Sequence, residues 1–238
     1  MACAIGETPA MSKWQMKLTW LLCTSLIVSL GSAVSAVFAQ EPHPLQAALE
    51  GLWTEGNETG AETEEQRLFI SVAESNLRDP GDTFRASYRQ ETGPAASCPM
   101  SGALAGEPAD IEIVDQGDGI DIISFGRTRH VYMDFWREPS ETFVPNKLGW
   151  STGRWAGDML VIRTTRFKEG AIKSGERPLP FGGPIAQMIE RYTLSEDRNR
   201  LSLDINLNDP KYYNFSINVR QNYVRTDEIL RGTKCVPG

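Results

Sequence analysis

Hydrophobic and polar residues alternate with a period of two along much of the second half of the chain. In Arg200–Asn208 four aliphatic residues alternate with polar ones, and Phe215, Ile217 and Val219 continue the pattern in Asn214–Arg220. Because successive side chains of a strand point to opposite faces, each segment predicts a strand with one buried and one solvated face. The same pattern predicts further strands over Asp110–Asp115, Ile120–Phe125, Thr128–Asp134, Asp158–Phe167 and Ala186–Leu194.

Short turn-forming sequences separate these predicted strands. Gln116–Gly119 and Ala156–Asp158 indicate hairpin loops, Ser195–Asn199 indicates another turn, and Pro210 ends the strand before it. Links this short predict a meander, in which neighbours along the chain pair in space. We therefore predict an all-β fold, an antiparallel meander that forms a barrel or a curved half-barrel of lipocalin-like type, with a sandwich as the alternative.

Three segments have other patterns. Glu55–Gln66 is acidic and polar, which predicts a mobile loop, whereas His43–Glu50 has the pattern of one short helix. Lys168–Pro184 is rich in Gly and Pro, so we expect no regular element there. Loops of that length inside a domain are often functional.

The N-terminal residues have the features of an export signal. No charge occurs from Leu18 through Gln40, and the apolar centre of this run gives way to small residues near Ala39. This pattern predicts cleavage before Gln40, with translation starting at Met11 or Met16. The alternative is an uncleaved anchor helix, because the run is long enough to span a bilayer.

Three regions follow from these patterns. We predict a signal peptide over residues 1–39, an N-terminal segment over 40–97 that contains the acidic loop and packs on the same domain, and a β-meander core over 98–238. The mature protein is then expected to be soluble and periplasmic or secreted, with no membrane span.

Composition indicates a globular protein and argues against one class of partner, nucleic acids. The 238 residues include 40% hydrophobic and 23% charged residues, and the formal net charge is −7. An acidic chain lacks the clustered Lys and Arg that neutralise phosphates, so no nucleic-acid partner is expected.

Cysteine usage fits an oxidising compartment. Removal of the signal leaves Cys98 and Cys235, and two thiols in an exported chain usually pair. Such a bridge would stabilise the fold by about 4–5 kcal/mol in the chain-entropy model; the alternative is two separate buried thiols. The two histidines lie far apart and no CxxC motif is present, so no metal site and no cofactor are predicted.

Several short motifs occur in a recognisable order. They are Cys98–Met100, Arg129–Asp134, Gly149–Asp158, Glu190–Thr193 and Asn208–Pro210. In this combination the chain resembles a large group of exported bacterial proteins that are described as domains of unknown function. The resemblance implies export and a β-fold, and it implies no activity.

The chain departs from that group at two positions. Glu138 stands where the group has His before Pro, and Ala156 stands where it has Glu between Trp and Gly. Any chemistry that those side chains carry in the group is altered here.

Two sets of titratable residues are candidates for catalysis. His130, Tyr132 and Asp134 share one face of a predicted strand, where His130 and Asp134 are candidate proton-transfer groups and Tyr132 a candidate ligand contact; the alternative is a solvated sheet face. Glu190 shares a face with Tyr192, and burial there would raise the pKa of its carboxyl and suit it to acid–base catalysis. The alternative for Glu190 is a structural ion pair, with Arg163, Arg166, Arg191 or Arg220 as its partner.

Aromatic residues are candidates for ligand binding. Three tryptophans, Trp136, Trp150 and Trp155, lie close together in the chain. Arg154 is placed to stack on an indole ring. Tyr192 is a further candidate for ligand binding. The alternative for the aromatic residues is core filling.

These features leave three functions open. A small, largely apolar or aromatic ligand is favoured by the barrel and its aromatic residues, by analogy of fold alone. The alternatives are a cofactor-free isomerase, lyase or hydrolase that uses Glu190 or His130, and an accessory envelope protein that binds other proteins. The sequence lacks the GxSxG, Walker and GxGxxG motifs. A filled barrel with no cavity would favour the accessory role.

Overall fold

The computed structural model describes residues 43–55, 64–88, 110–124, 127–173 and 178–228, and β-strands dominate these segments. Helices described there are α1 (Gln46–Leu49), α2 (Glu64–Ser75) and α3 (Asp79–Ser87). The strands are β1 (Gly51–Glu55), β2 (Ile111–Asp115), β3 (Gly119–Ser124), β4 (Arg127–Tyr132), β5 (Trp150–Ala156), β6 (Met159–Thr165), β7 (Phe167–Lys173), β8 (Leu179–Gly183), β9 (Gln187–Leu194), β10 (Arg200–Asn208) and β11 (Ile217–Thr226).

Most of these strands form a closed barrel. Around the barrel the order is β1, β11, β10, β9, β6, β5, β4, β3 and β2, which returns to β1. In the opposite direction, from β1 through β2 to β11, the ring follows the order of the strands along the chain. The β7–β8 hairpin lies outside the ring. The predicted all-β meander is therefore confirmed, and it closes rather than forming a half-barrel or a sandwich.

The predicted strands agree with the structure to within a few residues, and one departs further. Arg200–Asn208 has the predicted bounds, and its aliphatic residues are buried. The last strand begins at Ile217 and runs on to Thr226, so Phe215 lies before it and is exposed rather than buried. The predicted turns are present: Gly117 and Gly157 adopt positive φ values of 83° and 60° there.

One pair of neighbouring strands is parallel. Val131 and Tyr132 of β4 pair with Ser151 and Thr152 of β5 in parallel register, whereas the other ring contacts are antiparallel. A parallel connection must return along the barrel to the end where it started. The segment 133–149 makes this crossover, and it packs on β5, because Thr152 Oγ1 donates a hydrogen bond to the carbonyl of Phe135 at 3.1 Å.

The expectation of no regular element over Lys168–Pro184 is wrong. β7 and β8 pair as an antiparallel hairpin with register shifts between Phe167 and Gly170 and between Ala171 and Lys173. Gly182 adopts a φ of 114°, and a Cβ atom there would lie 2.5 Å from the carbonyl oxygen of Lys168. Glycine therefore lets the strands approach closely, and irregular pairing accommodates the residues that ordinarily end a strand.

The predicted short helix is confirmed as α1, and it covers one end of the barrel. The indole of Trp53 donates to the carbonyl of Leu49 at 2.9 Å, and Gln46 Nε2 donates to Asp115 Oδ1 at 2.8 Å. Arg225 donates to two carbonyls at the end of α1, those of Ala48 and Glu50. The ends of β11 and β2 thus hold α1 in place.

The other two helices follow the predicted acidic loop, and neither was predicted from the sequence. Residues 64–66, which were placed in that loop, belong to α2, while 56–63 lie outside the described residues. Phe69 and Ala73 of α2 are buried in the same apolar core as the barrel. Beyond α2, Asn76 Nδ2 donates to the carbonyl of Phe215 at 2.8 Å and ties this region to the approach of β11.

Other sequence-based expectations remain predictions. Residues 1–39, Cys98 and Cys235 lie outside the described residues, so neither the signal peptide nor the disulfide is tested. Among the described residues, no helix has the length and apolar character needed to cross a membrane.

Candidate functional site

A buried ion pair lies inside the barrel. The guanidinium of Arg129 on β4 donates to both carboxylate oxygens of Glu190 on β9, with N–O distances of 2.5 and 2.7 Å. Arg129 is 3% exposed and Glu190 is fully buried. The ion pair expected for Glu190 is therefore present, but its partner is Arg129 and not one of the four arginines considered from the sequence.

Polar side chains of neighbouring strands complete this interior network. Tyr192 donates its hydroxyl proton to Glu190 Oε1 at 2.9 Å, and Arg129 also donates to Thr164 Oγ1, which contacts Ser151 Oγ. Burial raises the pKa of Tyr192 well above its ordinary value, and the charge of Glu190 raises it further. Burial alone would lower the pKa of Arg129, but Glu190 raises it above its ordinary value. Both groups therefore stay protonated.

The barrel interior around this pair is filled. Interior residues on three other strands, Ile122, Leu203 and Tyr223, are each at most 3% exposed, and Trp53 is fully buried. A carboxylate that holds a guanidinium in such a core has no access to a substrate. This packing favours the structural role for Glu190 and Tyr192 over catalysis or ligand contact.

The strand face with His130 and Tyr132 lies outside the barrel core. The His130 and Tyr132 rings meet edge-to-face with centroids 4.4 Å apart, and His130 Nδ1 lies 2.7 Å from Asp121 Oδ1. Asp134 follows the end of β4, where its carboxylate accepts a hydrogen bond from the Trp136 backbone N–H at 3.2 Å. The carboxylate that contacts His130 thus comes from β3, and Asp134 instead caps a turn.

The three candidate tryptophans occupy different places. Trp150 stacks on Tyr132 with ring centroids 4.5 Å apart, whereas Trp155 stacks on His43 of the segment before α1 at 4.1 Å. Trp136 is 72% exposed. The structure therefore does not bring them into one aromatic pocket.

Arg154 stacks on a different ring from the one expected. Its guanidinium carbon lies 4.8 Å from the centroid of Phe135, in the crossover segment 133–149. Arg163 lies over the same ring at 5.2 Å and donates to the Phe135 carbonyl. Both arginines thus hold the crossover segment against β5 and β6.

A cavity opens between α2 and the strands β9, β10 and β11. Its volume is about 520 Å³, and we call it the α2 cavity. It is a shallow depression that is largely open to solvent. It is lined by Leu68, Phe69, Arg191, Asp204, Ile205, Asn218, Val219 and Arg220.

The strand side of the α2 cavity combines apolar and charged positions. Ile205 and Val219 are buried and directly opposite each other in the register of β10 and β11. Asp204 lies opposite Arg220 on one side and Arg191 on the other. These three charges lie on the solvated face of the sheet, whereas Ile205 and Val219 point to the buried face, so the exposed apolar surface at this site comes from Leu68.

Sequence reasoning missed the residues that matter most here. Arg129 shares its strand face with Val131, and an arginine on an apolar face was the available signal of a buried ion pair. For the α2 cavity the signal was weak, because Leu68 and Phe69 belong to a helix that was not predicted.

Comparisons with known proteins leave the function open. No family model matches the chain, and no curated protein matches it. Among solved structures it is similar to a mutant of the REP1-NXSQ fatty acid transporter, with 12% sequence identity and a TM-score of 0.33 over 76% of this chain and 99% of that chain. The resemblance to exported domains of unknown function stays a prediction.

Proposed function

We propose that the protein binds a small, largely apolar molecule in the α2 cavity. The observation that carries this proposal is the α2 cavity itself, about 520 Å³ in volume, where the exposed Leu68 of α2 lies beside polar and charged side chains of the strands. Leu68 is 62% exposed at this site, although a leucine of an amphipathic helix ordinarily faces the core. A bound molecule would remove that apolar surface from water.

The filled interior supports this location over the centre of the barrel. Interior side chains and the Arg129–Glu190 pair occupy the space that a ligand of a lipocalin-like protein would need. The barrel then acts as a support, and α2 supplies the exposed apolar side chain of the site. Preformed strands beside a short helix are a favourable arrangement, because less ordering is required on binding.

Fluorescence of an uncharged apolar dye tests the proposal. We expect N-phenyl-1-naphthylamine to bind the purified, delipidated protein with a blue-shifted, enhanced emission that saturates at one dye per chain. Leu68→Gln removes apolar contact without disturbing the core, so we expect the dye to bind several-fold more weakly. Its matched control is Ile185→Gln, because Ile185 is exposed to a similar extent, 58%, but does not line the cavity.

Two results would contradict the proposal. One is the absence of saturable dye binding by the folded protein. The other is equal weakening by Leu68→Gln and Ile185→Gln, which would indicate nonspecific adsorption to exposed apolar side chains.

A further inference from the structure

Charge at the α2 cavity is unbalanced. Asp204 is the acidic residue of its lining, and two arginines, Arg191 and Arg220, lie opposite it on the adjacent strands. Among the lining residues that the structure describes, two guanidinium groups and one carboxylate leave one net positive charge. An apolar site with a net positive charge is complementary to a molecule that carries one negative group.

The pairing of Asp204 decides which arginine is available. Arg220 donates to both carboxylate oxygens of Asp204, from Nε at 2.6 Å and from a terminal nitrogen at 3.0 Å. This two-point geometry matches a planar guanidinium to a carboxylate, and it occupies the donors of Arg220 that face Asp204. These hydrogen bonds also raise the pKa of Arg220 above its ordinary value.

Arg191 has no such partner. Among the described residues, its side chain makes no hydrogen bond or ion pair, although it lines the cavity and is partly buried. A partly buried guanidinium is only weakly hydrated compared with an ammonium group, so it readily accepts a planar anion. Among the lining residues that the structure describes, Arg191 is therefore the arginine without a hydrogen-bonded carboxylate, and it lines the same cavity as Leu68.

We infer that the ligand is an amphipathic anion, whose apolar body packs against α2 and whose compact acidic group, such as a carboxylate, binds Arg191. This inference rests on the proposed function and names the chemical class of the ligand. Arg220 acts as a positioning residue, because it binds both carboxylate oxygens of Asp204, the residue opposite Arg191. Without Arg220, Asp204 would compete with the ligand for that guanidinium.

A matched pair of ligands tests the inference. Decanoate and decan-1-ol share a chain length and differ in the charge of the head group, and each is used to displace N-phenyl-1-naphthylamine at pH 8. We expect Arg191→Gln to weaken the binding of decanoate by about ten-fold, because one charge-assisted hydrogen bond is lost. The affinity for decan-1-ol should change by less than two-fold. Arg191→Lys should recover part of the loss, and high salt should weaken decanoate alone.

Two further variants sharpen the result. Arg220→Gln should also weaken decanoate selectively, because it frees Asp204 to pair with Arg191. Arg200→Gln is the control, since Arg200 is an exposed arginine of β10 that does not line the cavity. It should leave both ligands unchanged.

Failure of the inference differs from failure of the proposed function. If the dye binds and Arg191→Gln weakens decanoate and decan-1-ol equally, the cavity binds apolar molecules without recognising an anion. If the dye does not bind at all, the proposed function fails first. If decanoate fails to displace bound dye, the anionic class is also wrong.

Discussion

Arg129 and Glu190 show how a single buried charge constrains its neighbours. Removing two charges from water is costly, and their mutual attraction offsets that cost only with good geometry and further hydrogen bonds. Here Glu190 receives two hydrogen bonds from Arg129 and one from Tyr192, so its carboxylate is well satisfied. Arg129 Nε, however, has no hydrogen-bond partner among the described residues. The pair therefore specifies how the strands meet more than it adds stability.

Replacing only Arg129 should destabilise the protein far more than replacing both residues of the pair. We expect Arg129→Met to lower the free energy of unfolding by about 3–5 kcal/mol, because Glu190 is left as an uncompensated buried charge. The double variant Arg129→Met/Glu190→Leu should recover most of that loss. Urea unfolding followed by tryptophan fluorescence measures both, and a double variant no more stable than the single one would show that packing, and not charge, explains the effect.

At the scale of elements, the β7–β8 hairpin depends on one backbone position. Gly182 has a positive φ and lies against the backbone of Lys168, and its N–H donates to the carboxylate of Asp209 at 2.9 Å. The hairpin is held further by Tyr213, whose hydroxyl donates to the carbonyl of Pro180 at 2.8 Å. The turn after β10 thus supports a hairpin that the barrel ring does not contain.

Gly182→Ala should destabilise the protein by about 1–3 kcal/mol, because the new methyl group strains the backbone and displaces Lys168. Gly170→Ala is the matched control on the partner strand, since a Cβ atom there meets nothing within 4 Å. We expect its effect to stay within about 0.5 kcal/mol. Equal unfolding midpoints in urea for the two variants would contradict the close approach at Gly182.

Periodicity predicted seven of the nine strands of the barrel ring, but it did not predict β1, β5 or the β7–β8 hairpin. Leu201 and Leu203 sit on a strand with one wet face, so burial leaves a period-two trace in the sequence. β8 carries Pro180 and two glycines and is buried along its whole length, so no alternation marks it. The Arg129–Glu190 contact escaped prediction for another reason: β5 and β6 separate β4 from β9 in the ring, and the two side chains meet only across the barrel interior.

For the whole molecule, burial of tyrosines couples stability to alkaline pH. Tyr192 and Tyr223 both lie in the filled interior, and burial raises the pKa of each well above 10. Nearby negative charges raise both pKa values further. The largest charge effect on Tyr192 comes from Glu190, and the largest on Tyr223 comes from Glu55. The folded protein therefore retains protons that the unfolded chain releases near pH 10. Burial also raises the pKa of Tyr212, on the turn after β10, to about 12.

This coupling fixes the sign of the pH dependence. A raised pKa in the folded state contributes stability that is fully present below pH 10 and is lost as the pH rises from there towards the folded-state pKa. We expect the free energy of unfolding to fall above pH 10 by about 1.4 kcal/mol per pH unit for each fully buried tyrosine.

Tyr223→Phe removes one ionisable group, so its urea midpoint should fall less steeply between pH 9 and pH 11 than that of the parent protein. Because the variant also loses the hydrogen bond to Gln221, the slopes and not the absolute values are compared. Equal slopes would mean that Tyr223 ionises as readily in the folded barrel as in the unfolded chain, and the interior would then admit solvent.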